Sequence, residues 1–242
     1  MKTLVISDVH ANLDALNAVL ESAGEVDAVL CLGDIVGYGP DPNECIERLS
    51  ILPNLTCIMG NHDAAALGLI DIDTFNKEAR QSSRWTQKTL TSEHMTFLGK
   101  LPETAVVGDI TIAHGSPRNP IWEYVLDIKT ALVNFGAFDT QICFIGHSHL
   151  PLAFLMNPSG KSITWKLLSD MDVITIDGRA MINPGSVGQP RDHDPRSAFG
   201  IFDSEAQTWQ ARRVEYDITA VQKRIRAANL PKRHADRLAD GW

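Results

Sequence analysis

The chain has 242 residues, 44% of them hydrophobic and 21% charged, with a formal net charge of −8. That length buries a substantial core, while the acidic balance argues against a general nucleic-acid-binding surface. No apolar stretch approaches the roughly 20 residues that cross a bilayer, and the opening MKTLVIS runs into a strand pattern without a signal peptide, so a cytoplasmic protein is expected.

The first apolar run, Leu4-Val5-Ile6-Ser7, reads as a buried strand. A helix with Leu13, Leu16, Val19 and Leu20 on one face follows, then a strand at 27–32. The turn Pro40-Asp41-Pro42 precedes a helix near 43–50, and a third strand near 55–59 ends at Gly60-Asn61-His62-Asp63. These are β-α-β units, which predicts parallel strands with right-handed crossovers. Residues 73–100 read as a mostly helical insert whose Phe75, Trp85, Leu90, Phe97 and Leu98 offer a packing face against the sheet. After Leu101-Pro102 come short strands at 104–107, 110–113, 141–145, 152–156, 162–167, 172–177, 198–203 and 208–214. Two helices follow between 217 and 240, broken before Pro231, with Lys223, Arg224, Arg226, Lys232, Arg233 and Arg237 solvated or at an oligomer contact. No linker, repeat or low-complexity tract divides the chain, so residues 1–242 are expected to form one domain. Cys31, Cys45, Cys57 and Cys143 lack metal-ligand spacing and read as buried free thiols.

Chemistry-bearing residues collect where the apolar runs stop. In order they are Asp8-Val9-His10, Gly33-Asp34, Gly60-Asn61-His62-Asp63, His114 and Gly146-His147-Ser148-His149. Residues that end neighbouring strands emerge at a common sheet edge, where ligands gather in open α/β sheets. Taken singly, each has an ordinary structural role: Asp8 and Asp34 as helix caps, Asn61 as a turn residue, His114 as a core histidine. Five strand ends in succession point instead to a metal site. Its oxygen and nitrogen donors, with no nearby cysteine, favour manganese, iron(II) or zinc over a thiolate zinc site, and seven candidate ligands are too many for one ion.

The ordered series D-x-H, G-D, G-N-H-[DE], a lone H and G-H-x-H across residues 8–149 resembles the calcineurin-like metallophosphoesterases. The resemblance implies a mixed α/β fold, a four-layer αββα sandwich of two stacked mixed sheets with helices outside. It also implies a binuclear centre of two divalent ions, Mn2+ foremost, with Fe2+, Zn2+ or Ni2+ as alternatives. Asp8, His10 and His149 would hold one ion, Asn61, His114 and His147 the other, and Asp34 would bridge them. His62 would meet the leaving oxygen as general acid or hydrogen-bond donor, and Asp63 would hold its imidazole; many superfamily members carry Glu at the Asp63 position. The segments Gly33–Pro40 and Asn183-Pro184-Gly185-Ser186 resemble the small bacterial and archaeal branch related to diadenosine tetraphosphatases.

Three loops are expected to shape a substrate pocket: Gly37–Pro40, Ser116–Tyr124 and Asn183–Arg196. Tyr38, Arg118 and Arg191 are the candidate substrate contacts, since arginine pairs bidentately with phosphate. Salt bridges to Glu123, Asp192 or Asp194 compete for Arg118, Arg191 and Arg196. Trp122 and Tyr124 read as pocket wall and His193 as solvated. The expected function is metal-dependent hydrolysis of a phosphodiester or nucleoside polyphosphate such as diadenosine tetraphosphate. The expected partner is therefore a small phosphorylated substrate, with no stable nucleic acid, no membrane, and a homo-oligomer left open. The alternatives are a general phosphomonoesterase or protein phosphatase, a nuclease, which needs a basic groove tracking several phosphates, and a non-catalytic metal-binding scaffold. A scaffold is free to lose a ligand or His62, and this chain has kept all of them.

Overall fold

A computed structural model describes residues 1–242 as two six-stranded mixed sheets with eight α-helices. The first sheet has the order β3-β2-β1-β11-β12-β9. It is built from β1 (Lys2–Ile6), β2 (Ala28–Cys31), β3 (Leu55–Cys57), β9 (Val173–Thr175), β11 (Ser197–Asp203) and β12 (Thr208–Val214). The second sheet has the order β4-β5-β6-β10-β7-β8, from β4 (Thr104–Val107), β5 (Ile110–Ala113), β6 (Ile142–Phe144), β7 (Pro151–Met156), β8 (Ile163–Leu167) and β10 (Arg179–Pro184).

Each sheet contains three neighbouring parallel strands, β3-β2-β1 at one end of the first and β5-β6-β10 in the second, and register decides what emerges at its edge. In the first, β1 and β2 are parallel with Ile6 opposite Cys31, and β2 and β3 are parallel with Cys31 opposite Cys57. The segments after Ile6, Cys31 and Cys57 therefore leave the sheet side by side. In the second, β5 and β6 are parallel with Ile112 opposite Phe144, which brings His114 and Gly146 to one edge.

The sheets stack through Val5, Leu30, Leu32 and Ile58 of one and Ile112, Phe144 and Ile182 of the other, with Phe202 and Trp209 in the same cluster. Outside the first sheet lie α1 (Leu13–Ala23) and α2 (Pro42–Ser50), whose Leu16, Val19, Ile46 and Leu49 pack with Leu4, Ile6 and Phe199. The Asn12 side chain caps α1 by accepting from Ala15 N, and Pro42 starts α2, where its missing N–H costs nothing. Outside the second sheet, α6 (Ile128–Phe135) packs Ala131 and Phe135 with Cys143, Phe154 and Met181. The expected helix-sheet-sheet-helix layering is thus present, and all four cysteines are free and buried.

Three elements lie where no helix or strand was expected. The segment after Gly60 is α3 (Asn61–Ala66), α6 occupies a stretch to which the sequence assigned no element, and β10 sits in the middle of its sheet. A three-residue apolar run between Arg179 and Asn183 is too short to announce a central strand, and two neighbouring strands supply the pairing that holds it. The insert forms a short 3-10 turn (Ile72–Thr74), α4 (Lys77–Thr89) and α5 (Ser92–Leu98). Its Leu90 and Leu98 join the outer cluster of the first sheet, whereas Phe75 and Ala79 turn toward Tyr38 and Ala65. The last helices, α7 (Ile218–Ala227) and α8 (Lys232–Asp240), share a small core of Val221, Ile225, Leu230 and Leu238. Arg224 is not simply solvated as expected but forms ion pairs with Asp14 and Asp41, tying α7 to α1 and α2. No helix is long and apolar enough to cross a membrane.

Candidate metal centre

The strand-end loops hold an unusual backbone. Asp8, His10, Asp34, His147 and His149 all have φ between 50° and 66°, as does Tyr38. Non-glycine residues seldom occupy this left-handed region, and each such residue costs of order 1 kcal/mol or more unless its surroundings fix it. Fixing contacts are present: Asp8 N donates to Gly33 O at 3.1 Å and His10 N donates to Asp34 O at 2.9 Å. The approach of these loops depends on glycine, because a Cβ on Gly60 would lie 2.1 Å from Asp34 Oδ1.

These turns bring all seven candidate ligands together, each 5% exposed or less. Both carboxylates are held by one oxygen. Asp8 Oδ2 accepts from His147 N at 3.1 Å and Asp34 Oδ1 accepts from His62 N at 2.8 Å. Their other oxygens face imidazoles: Asp8 Oδ1 lies 3.3 Å from His149 Nε2 and 3.8 Å from His10 Nε2. Asp34 Oδ2 lies 3.4 Å from His114 Nε2 and 3.7 Å from His10 Nε2, so it touches both halves of the cluster. Three histidines are oriented from behind by backbone carbonyls. Nδ1 of His10, His114 and His149 lies 3.2, 2.9 and 2.6 Å from the carbonyl oxygens of Val36, Leu32 and Gln189. An Nδ1–H donated there leaves the Nε2 lone pair facing the cluster.

The residues fit two cations. Asp8, His10 and His149 form one group able to hold an ion, and Asp34, His114 and His147 another, with candidate ligand atoms within 4.8 Å of one another in each. Asn61 Oδ1, 3.1 Å from His114 Nε2, extends the second group. Asp8 Oδ1, Asp34 Oδ2 and His147 Nε2 are buried with no hydrogen-bond partner. An unpaired buried polar atom costs about 1–3 kcal/mol, more if charged, so the two carboxylate oxygens, both turned to the imidazoles, mark the place of a positive charge.

Electrostatics separate the two carboxylates. Burial and the neighbouring Asp34 charge push Asp8 up to about 6. Burial also opposes the Asp34 charge, but the surrounding His114, His62 and His10 imidazoles overcome it and hold Asp34 far below the usual carboxylate range. Burial pushes His62 down to about 4 and His147 to about 3, the Arg191 charge adding to both, so both imidazoles are neutral near pH 7.

Beside the cluster opens a cavity of about 200 Å3 lined by Asp34, Asn61, His62, His147, His149, Tyr38 and Arg191, with Phe75, Trp122 and Tyr124 as aromatic walls. Tyr38 packs against His62 at 4.3 Å between ring centroids and against His10 at 4.6 Å. Tyr124 stacks on His147 at 4.0 Å. The Arg191 guanidinium lies 5.9 Å from the Tyr38 ring centre and donates to Gln189 Oε1 at 3.1 Å. It is free for the cavity because the acids nearby are taken: Asp192 pairs with Arg213, and Asp194 with Arg196 and Arg213. Arg118 does not line this cavity. Its guanidinium pairs with Glu123, which Arg118 holds down to about 2 with help from Asn134 and Ser116.

Asp63 also departs from its expected contact. Its carboxylate accepts from Gly60 N at 3.0 Å and Val36 N at 3.1 Å, capping α3 and tying it to the Asp34 loop. Those two bonds turn the carboxylate toward backbone, and the buried His62 Nδ1 has no hydrogen-bond partner. Neighbours not expected from the sequence include Phe75, 4.9 Å from the His62 ring, and His234 of α8, 4.8 Å from the Tyr38 ring. His234 shares no motif with the other histidines, and only tertiary packing brings it there. The exposed His193 stacks on Trp242 at 4.8 Å.

Comparison with known proteins agrees with this geometry. A family model described as the calcineurin-like phosphoesterase superfamily domain matches residues 1–207. An uncharacterized protein of Methanocaldococcus jannaschii is 39% identical over 242 aligned residues, covering 97% of this chain and 96% of its own. The crystal structure of a metallophosphoesterase from Sphaerobacter thermophilus superposes with a TM-score of 0.91 at 47% identity, covering 100% of this chain and 99% of that one. A shorter likeness, 37% identical over 67 residues, covers 26% of this chain and 24% of a symmetrical bis(5'-nucleosyl)-tetraphosphatase from Pseudomonas entomophila. A chain with these strand-end ligands, matched over most of its length, belongs to the calcineurin-like phosphoesterase superfamily and is a metallophosphoesterase.

Proposed function

We propose that this phosphoesterase hydrolyses a small phosphodiester or nucleoside polyphosphate with two divalent ions, manganese foremost and iron(II), zinc or nickel as alternatives. The observation that carries the metal reading is the pair of buried carboxylate oxygens without a hydrogen-bond partner, Asp8 Oδ1 and Asp34 Oδ2, both turned to the histidine cluster. Asp8, His10 and His149 would hold one ion, Asn61, His114 and His147 the other, with Asp34 shared. The ions would supply Lewis-acid activation of a phosphoryl oxygen and of the attacking water.

The chain's own groups supply the rest. His62 lines the cavity and is neutral near pH 7. A neutral imidazole meets negative charge developing on the leaving oxygen by donating an N–H hydrogen bond, with proton transfer following as that oxygen becomes basic. Asp63 fixes the entry to α3 and so fixes His62 through the backbone. Arg191 offers a cation to a phosphate beyond the one being cleaved. A volume of about 200 Å3 takes a phosphoryl group with the rest of the substrate extending along the open side of the cavity. The aromatic walls Phe75, Trp122 and Tyr124 favour a base beside the phosphate. The 67-residue likeness to a dinucleoside tetraphosphatase points the same way.

The test is manganese-dependent turnover of an aryl phosphomonoester, an aryl phosphodiester and diadenosine tetraphosphate. The expected result is preference for the diester or the dinucleotide, with Arg191→Ala raising KM for the dinucleotide far more than for the aryl substrates. Preference for the monoester, or equal effects of Arg191→Ala on all three, would overturn the substrate assignment.

A further inference from the structure

Helix α4 also carries an outward face that shares no residue with the lining of the cavity beside the metal cluster. Lys77, Arg80, Arg84 and Lys88 recur at steps of three and four residues, which stacks them along one side of the helix. With Trp85 they form one wall of a groove of about 700 Å3, whose other wall is the turn between α7 and α8. Four cations converge here in a chain of net charge −8. The one carboxylate paired with them is Asp73, itself 65% exposed, which lies 3.1 Å from Arg80 and 3.9 Å from Arg84. Lys77 and Lys88 form no ion pair. Trp85 is half-buried, and its packing against the small core of α7 and α8 holds the indole at the groove.

The spacing says what would fit. Lys77 and Lys88 are eleven residues apart, about 16 Å along a helix axis. A single phosphate can reach only part of that row, whereas an anion with several linked phosphates can meet it as a series. An indole face fixed beside such a row suits a base, which stacks on an aromatic ring while arginine and lysine take the phosphates. We propose that the α4 groove is a binding site for a nucleoside polyphosphate, separate from the catalytic cavity. Charge complementarity and the indole select this ligand, and the site stands whether or not the catalytic substrate is a nucleotide.

The test uses manganese-loaded full-length protein and the non-hydrolysable adenosine imidotriphosphate. Calorimetric titration of the double variant Lys77→Glu/Lys88→Glu should show one bound equivalent fewer per chain than the wild type, or at least tenfold weaker binding at one site. Its turnover of an aryl phosphodiester should be unchanged, which also reports an intact fold. An 8-azidoadenosine triphosphate photolabel should attach within residues 77–89 of the wild type and not of the variant. Trp85→Ala should weaken the nucleotide analogue more than inorganic triphosphate. Equal stoichiometry and affinity in wild type and double variant, or labelling confined to the catalytic cavity, would overturn the site. Equal effects of Trp85→Ala on both ligands, or tighter binding of a single-stranded RNA oligomer than of the nucleotide, would overturn the ligand class.

Discussion

The two halves of the metal centre are built differently. Asp8, His10 and His149 all sit on left-handed backbone, and His149 alone of the three lines the substrate cavity. In the other half, His114 directly follows β5 on ordinary backbone, as does Asn61 at the start of α3, and Asp34, Asn61 and His147 all line the cavity. One half is made wholly of left-handed turns and is largely closed; the other mixes two such turns, at Asp34 and His147, with two residues on ordinary backbone, and faces the cavity. The difference teaches that the first half depends wholly on loops that must be held in place, whereas in the second the end of β5 and the start of α3 share that task with two loop turns.

Asp34 belongs to both halves, so replacing it should have the largest effect. Asp34→Asn is expected to lower metal content below one ion per chain and kcat by roughly 10³-fold or more; retention of two ions by elemental analysis would show that Asp34 Oδ2 is not shared. Next comes a direct contrast of the halves. His10→Ala should lose one ion and lower Tm, because a 1%-exposed ring packed against Tyr38 and His149 is removed. His147→Ala should also lose one ion but change Tm less, since that ring borders the cavity. Equal Tm losses would erase the distinction.

His62→Gln should leave metal content unchanged and lower kcat by about 10²–10⁴-fold. The loss should be greater for an alkyl than for a nitrophenyl leaving group, because only the poorer one needs a donated proton. A uniform loss across leaving groups would assign His62 to the ground state instead.

The smallest effect concerns the support behind the cavity. Burial, aided by Arg237, holds His234 down to about 4 against an ordinary 6.5, although the Glu78 carbonyl opposes the shift. As pH falls from 6.5 to 4 the unfolded chain takes up this proton before the folded one does. Stability present above pH 6.5 is therefore lost across that window, by at most roughly 3 kcal/mol. Denaturant melts should show His234→Phe losing less stability over the same range than the wild type.

Much of this centre was legible in the residue order because its candidate ligands come from strand ends. A strand end is a local event: an apolar run stops, a polar residue follows, and parallel neighbours must present their ends at one edge. The same locality explains the reading of α1, α2 and the parallel units around β1 to β3. It fails where an element is held mainly by neighbours, as with β10 between β6 and β7 or the short α3. Asp63 shows the failure in a side chain. The resemblance implied a bond to His62, but α3 turns the carboxylate back onto Gly60 and Val36.

Residue order therefore carried the donor types and their gathering at one sheet edge, because donor identity and strand-end position are local properties; their grouping and the class of chemistry came from the resemblance of the ordered motifs to a family. Folding settled which oxygens stay unpaired, that Arg118 is held by Glu123 while Arg191 is left to the cavity, and that His234 stands behind Tyr38. Those outcomes are competitions among partners far apart in sequence, and only distances in the folded chain decide which partner wins.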